Sequence, residues 1–289
     1  MGDVTEIRAM RADDVVSAEA AWDQAYRTML AEHHIPVPPG TPELSERTQR
    51  RMGYLRETDP GGSWVAEADG TIVGLAEAQR RGDIWVLAIL GVVPGYQNLG
   101  VGRALLERAL AYGSPTSPGA IFSSPDPRAM YRYLSAGFTL HPTATGYGPV
   151  RRPPDEPSSV REGSVADLDH VQAVDRTVRG VDRGGDIGFL VATGLQLLVD
   201  DRGGYAVTQG GRLSMLSALD EEIATDLLVA AMARCPTGEP MEVSWITAEQ
   251  QWAFSALARG GVPLQVQGSI MMRGEWQPQL PYLANGIFG

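Results

Sequence analysis

Apolar residues in this chain switch repeatedly between two periods. Helical spacing governs Asp14 to Leu30, Glu43 to Glu57, Gly100 to Tyr112 and Pro127 to Ala136. Short apolar runs fall between them: Glu6 to Arg11, "SWVAEADG", "TIVGLAEAQ", "DIWVLAILGVV" and "GAIFSS", then a final pair around "GFTLHP" and "TGYGPV". These predict strands, and "ADG" between two of them is a hairpin signal. The pattern predicts a mixed α/β domain over the first half of the chain.

The pattern then begins again. "IRAMRADDVVSAEAAWD" from Ile7 and "VREGSVADLDHVQAVDR" from Val160 each start as a strand, carry an Arg six residues before an Asp, and continue at helical spacing. Arg8 thereby meets Arg161 and Asp14 meets Asp167, which suggests a divergent internal duplication. Between the halves "PVRRPPDEPSS" holds four prolines and no hydrophobic period, the composition of an extended connector. We therefore expect domains at 1–150 and 159–289 joined by a Pro-rich linker, 151–158.

Composition narrows the classes of function. The chain has 289 residues and a formal charge of −11, which disfavours nucleic-acid and anionic-membrane partners and favours cationic small molecules. The single cysteine, Cys235, excludes an internal disulfide framework, and four scattered histidines offer no metal-ligand spacing, so no metal is expected. Neither a signal-like start nor an apolar run of bilayer length is present, and a soluble cytoplasmic protein is expected.

The stretch "VVPGYQNLGVGRALLERAL" joins a strand to a helix and places Gly100 and Gly102 where that helix opens. Free amides at a helix start, reinforced by its dipole, form an anion site, and glycine lets an anion come close. The alternative is that both glycines only shape a tight turn. A P-loop is excluded because no Lys follows at the required place, and the third glycine of the dinucleotide fingerprint is missing.

Gln97, Asn98, Leu99, Gly100, Val101 and Gly102 resemble the Gln/Arg-x-x-Gly-x-Gly/Ala signature of the GNAT acyltransferase superfamily. "DPRAMYRYLSAGF", Asp126 to Phe138, is similar to that family's Asn-x-x-Ala-x-x-x-Tyr-x-x-x-Gly-Phe segment, departing from it in Asp126. Asp126 before Pro127 also reads as a helix N-cap. The resemblance implies an α/β fold of two tandem GNAT-like domains, each a mixed, mostly antiparallel twisted sheet with a splayed central strand pair flanked by helices.

The resemblance also implies acetyl-CoA as co-substrate, held by residues 97–102 with Arg103 and Asp126, its pantetheine arm lying along the backbone of Ile84 to Val93. A backbone NH of Val92 or Val93 would polarise the thioester, and Tyr133 would protonate the departing sulfur. Gly91 is the expected bulge where the strands part. No carboxylate lies between Ile84 and Val93, so Glu77 on the preceding strand is the candidate base, ahead of Asp83. His33 and His34 lie in the loop where the family often builds its acceptor pocket. Tyr131, two residues before Tyr133, must face elsewhere.

The second half reads as degenerate. After "RLSMLSA" its helix opens on Asp220, Glu221 and Glu222, carboxylates that would repel a diphosphate. Aligning Gly261 with Gly137 sets Leu257 at the place of Tyr133 and Gln250 at that of Asp126, while a shift by one sets Ala256 at the place of Tyr133; either register removes the acid. Trp245 and Trp252 are candidates to line an acceptor pocket. The tail "LPYLANGIFG" resembles those of other tandem members. The expected activity is direct N-acetylation of a primary amine of a small, cationic molecule by a monomer or homodimer. Its rivals are transfer of another acyl group, a protein amine as acceptor, a non-catalytic acyl-CoA-binding regulator and a scaffold.

Overall fold

The computed structural model describes residues 5–37, 39–114, 116–274 and 281–289. Two compact units emerge: Met1–Ile121 with Pro125–Phe138, and Phe122–Ser124 with Thr139–Gly289. The boundary after Phe138 precedes the Pro-rich segment at which the sequence pattern divides.

In the first unit the strands are β1 (Glu6–Ala9), β2 (Ser63–Ala68), β3 (Thr71–Arg81), β4 (Ile84–Val92) and β5 (Gly119–Ser123, of which residues 119–121 belong here), adjacent in that order. The first four are antiparallel neighbours, and β5 runs parallel to β4. Asp69 and Gly70 turn β2 into β3 with φ of 48° and 75°, the left-handed pair that a two-residue hairpin demands. Helices α1 (Val15–Glu32) and α2 (Pro42–Thr58) follow β1, α3 (Val101–Ala111) follows β4, and α4 (Pro127–Ser135) follows β5.

Glycines show which helix covers which face. A Cβ on Gly91 would meet Trp22 of α1 at 2.9 Å, whereas one on Gly74 would meet Leu105 of α3 at 3.1 Å. Because side chains alternate along a strand, Leu75 and Glu77 of β3 face α1 and α2.

The second unit contains β6 (Thr139–Gly148), β7 (Val160–Glu162), α5 (Leu168–Arg179), α6 (Gly185–Ala192), β8 (Gln196–Asp200), β9 (Gly204–Gln209), β10 (Arg212–Ala218), α7 (Glu221–Ala233), β11 (Met241–Ile246), α8 (Gln251–Gly260), β12 (Leu264–Arg273) and β13 (Tyr282–Leu283). Its sheet order is β12-β6-β11-β10-β9-β8-β7, with β13 beside β10. A core of α7 and α8 side chains, among them Leu227, Leu228 and Leu257, packs against β10 and β11.

One expectation fails here. The predicted strand pair around "GFTLHP" and "TGYGPV" is one ten-residue strand, β6, flanked by β11 and β12. Pro142 cannot donate to a ladder and so reads as a break. The partner strand absorbs the irregularity instead: β12 shifts register between Val266 and Ser269, Gly268 takes φ of 80°, and Thr143 Oγ1 donates to the Gln267 carbonyl at 2.9 Å.

The equivalence of Arg8–Asp14 and Arg161–Asp167 is physical. Each pair closes an ion pair of 2.6 Å, and each aspartate also accepts from the backbone amide three residues before it. The arginines hold both carboxyls below the usual range, Asp167 at about 2.

Candidate active site in the first unit

Strand β4 changes character part-way along. Residues 84–87 are buried continuously; from Ala88 to Val92 exposure alternates, with Ala88, Leu90 and Val92 partly open. The change coincides with a bulge, because Glu77 pairs with Ile89 and Ala78 with Leu87, leaving Ala88 unpaired. Gly91, the expected bulge, instead lies in regular register opposite Leu75 and makes room for Trp22.

Beyond the bulge the far edge of β4 has no ladder among the described residues. Parallel pairing with β5 covers only Trp85, Val86 and Leu87. The Val93 amide donates to the Val73 carbonyl at 3.0 Å, which fixes the phase of the β3–β4 ladder. By alternation the main-chain groups of Leu90 and Val92 therefore point away from β3, toward the open edge. Val93 is thus unable to polarise a carbonyl as expected, whereas Leu90, missed by sequence reasoning, offers a donor beside Val92.

The chain then turns through residues 93–100. Asn98 and Gly100 both adopt left-handed backbone, at φ of 62° and 88°, and Gly100 is the N-cap of α3. Arg103 and Ala104 donate to the Gly100 carbonyl, while the amides of Asn98 to Gly102 donate to no backbone group among the described residues. Successive amides in alternating turn conformations make an anion-binding concavity, and nothing would meet a Cβ on Gly100 within 4 Å. The concavity fits a diphosphate.

Side chains brace this loop. Gln97 Nε2 donates to the Val92 carbonyl at 2.9 Å, and its Oε1 accepts from Arg128 of α4 at 3.1 Å. Gln97 therefore positions the turn by tying it to the end of β4 and to α4. Arg128 also pairs with Glu32 at 2.6 Å and with Asp126. Asp126 caps α4 by accepting from the Arg128 amide at 2.8 Å; burial opposes its ionisation, yet Arg128 holds its carboxyl below the usual value. His33 Nε2 lies 3.9 Å from Asp126. Arg103 faces solvent and pairs with Glu107 at 2.8 Å, so its side chain turns from the loop while its amide caps the first turn.

Two titratable groups stand out by burial. Tyr133 is 5% exposed, and burial pushes its phenol up, so it stays protonated. Tyr131 is 75% exposed and faces elsewhere, as expected. Glu77 is fully enclosed, and neither carboxylate oxygen has a hydrogen-bond partner among the described residues. Burial raises it to about 8, opposed by Arg51 and assisted by Asp59. Asp83 is exposed in the β3–β4 turn.

Residues 22–138 match the family described as Acetyltransferase (GNAT) family, and the match ends at Phe138, as the first compact unit does. Over these residues, less than half of the chain, the sequence is similar to that family. A 104-residue stretch is 33% identical to the mycothiol acetyltransferase of Propionibacterium freudenreichii subsp. shermanii, covering 32% of each chain. The alignment thus spans about a third of that relative. A candidate acetyltransferase of Pyrococcus horikoshii shares the fold at a TM-score of 0.79 and 19% identity, over 98% of this chain and 95% of that one. A tandem GNAT protein from the clavulanic acid biosynthesis pathway does so at 0.57 and 17%, over 93% and 97%. No helix among the described residues is long and apolar enough to cross a membrane. Nor do the described residues group three or more His, Cys, Asp or Glu to hold a metal.

Proposed function

We propose that this chain is an acetyl-CoA-dependent N-acetyltransferase whose amino-terminal unit carries the site and whose carboxy-terminal unit is degenerate. The observation that carries this reading is the unpaired edge of β4 running into a turn of free amides. An extended arm can add to that edge as a strand would, and a diphosphate can end on the α3 amides. Bound there, acetyl-CoA would supply an activated acyl carbonyl.

The residues of the chain divide the remaining work. The amides of Leu90 and Val92 would hold the oxygen on which charge gathers, as fixed donors that need no reorganisation. Tyr133 holds a proton on its phenol for a departing thiolate. Glu77 is our candidate to take the proton of the amine. A value near 8 suits acceptance from an ammonium, and an unpartnered buried carboxyl is a cost that function can explain. Net acidity points to a small cationic amine as acceptor.

The test is release of free thiol when the purified chain meets acetyl-CoA and a panel of aminosugars, polyamines and amino-acid derivatives. Turnover with at least one amine is expected. Binding of acetyl-CoA without turnover on any amine would replace the enzyme by an acyl-CoA-binding regulator, and absence of binding would leave a scaffold.

A further inference from the structure

We propose that Arg132 is the side-chain ligand of the diphosphate held at the start of α3, and that position 102 is glycine in order to seat it. This inference rests on the reading of the site given above. A Cβ on Gly102 would lie 2.8 Å from Arg132 Nη1 and 3.5 Å from its Cζ, so the guanidinium reaches the first turn of α3 through the space that a side chain would fill. Val92 Cγ2 borders the same space at 3.4 Å, placing the guanidinium where the open edge of β4 meets the amide turn.

Two arginines share this face of α4, one turn apart. Arg128 is neutralised by Asp126 and Glu32 and hydrogen-bonded to Gln97, so its role is to hold the loop. Arg132 is half-buried, and its guanidinium makes no ion pair or hydrogen bond with any described residue, although its charge acts on the nearby Tyr133 phenol. A half-desolvated guanidinium with five donors and no side-chain hydrogen bond or ion pair among the described residues is suited to an anion, and its planar fork suits phosphate oxygens. In a chain of net charge −11 it supplies local positive potential where an anionic ligand needs it.

The second unit supports the pairing of features. In the register that sets Leu257 against Tyr133, position 132 corresponds to Ala256, which is fully buried, and Gly100 corresponds to the Asp220 region. Where the amide turn has been replaced by a carboxylate cap, the arginine is gone as well.

Calorimetry with CoA and with dephospho-CoA, which keeps the diphosphate but lacks the 3′-phosphate, tests the assignment. Arg132→Gln should weaken both ligands equally, by about ten- to a hundredfold, and flatten the salt dependence of binding. Arg132→Lys should recover part of the loss. Gly102→Ala should weaken both ligands with little change in melting temperature, because only the flexible end of Arg132 has to move. An unchanged CoA affinity in folded Arg132→Gln overturns the proposal, as does a loss confined to CoA, which would assign Arg132 to the 3′-phosphate. Failure of the unaltered chain to bind either ligand removes the underlying reading instead.

Discussion

Helices α3 and α7 follow corresponding strands of the two units and open in opposite ways. The first begins at left-handed Gly100 with free amides ahead of it; the second begins at Asp220, whose carboxylate accepts from the Ile223 amide at 2.9 Å, with Glu221 and Glu222 in the first turn. The positive end of the helix is open in one unit and answered by the chain's own carboxylates in the other.

The strand edges differ in the same sense. Parallel pairing of β10 with β11 covers only Arg212 and Leu213, a splay like that of β4 and β5. Here the carboxy-terminal segment fills it. Tyr282 and Leu283 pair with Ser217 and Leu216, Pro281 accepts from the Ala218 amide at 3.3 Å, and Asn285 Nδ2 donates to Ser214 Oγ at 2.8 Å. Gln250, the counterpart of Asp126, donates to the Tyr282 carbonyl. Behind them Arg183, Asp175, Tyr205 and Ser217 form a fully buried polar cluster, and Arg183 also donates to the Gly289 carbonyl at 2.8 Å. The same architecture thus holds an open edge in one unit and an edge closed by its own chain in the other. Leu280, the first residue quoted from the tail, lies outside the described residues.

The sharpest way to break this contrast is to remove the phenol proposed as the acid of the first unit. Tyr133→Phe should lower kcat by about 10²- to 10⁴-fold while calorimetry shows acetyl-CoA affinity retained; an undiminished rate would end the role assigned to Tyr133. Copying the second unit into the first comes next. Gly100→Asp should weaken CoA about a hundredfold in a protein whose circular dichroism is unchanged, since like charges placed together cost several kcal/mol.

Glu77→Gln tests the base through its linkage to stability. The folded value of about 8 exceeds the ordinary carboxyl value of 4.5, so the folded state binds the extra proton, and stability falls as pH rises across that window. The variant should escape this fall, ending a few kcal/mol more stable above pH 8, and should lose a rate inflection near that pH. A stabilised variant with full activity and the same pH profile would strip Glu77 of its role. The smallest effect belongs to the closed edge. Asn285→Ala should cost about 1–3 kcal/mol in denaturant titration, through its bonds to Ser214, Ile287 and Phe288, without altering CoA affinity.

Much of the site was legible because it consists of local backbone chemistry. The glycine turn, the Asp126 cap and the paired Arg-to-Asp offsets are signals within a few residues of one another, and each appears in the structure. What escaped was the phase of a ladder and the reach of long side chains. Whether Leu90 or Val93 presents a free amide depends on the bond from Val93 to Val73, twenty residues away. That Gln97 joins Val92 to Arg128 depends on where α4 packs. Glu77 could be named from the sequence, yet its complete enclosure follows from the helices that cover β3.

The sequence by itself determined the order of strands and helices from β1 to α4, the glycine turn before α3 and the carboxylate cap before α7, because period, capping and glycine placement act over a few residues. Tertiary structure alone decided that β6 packs in the second unit, that Ala88 rather than Gly91 bulges, and that the tail covers β10. Those outcomes depend on which distant backbone groups find partners, and a one-dimensional pattern carries no record of that choice.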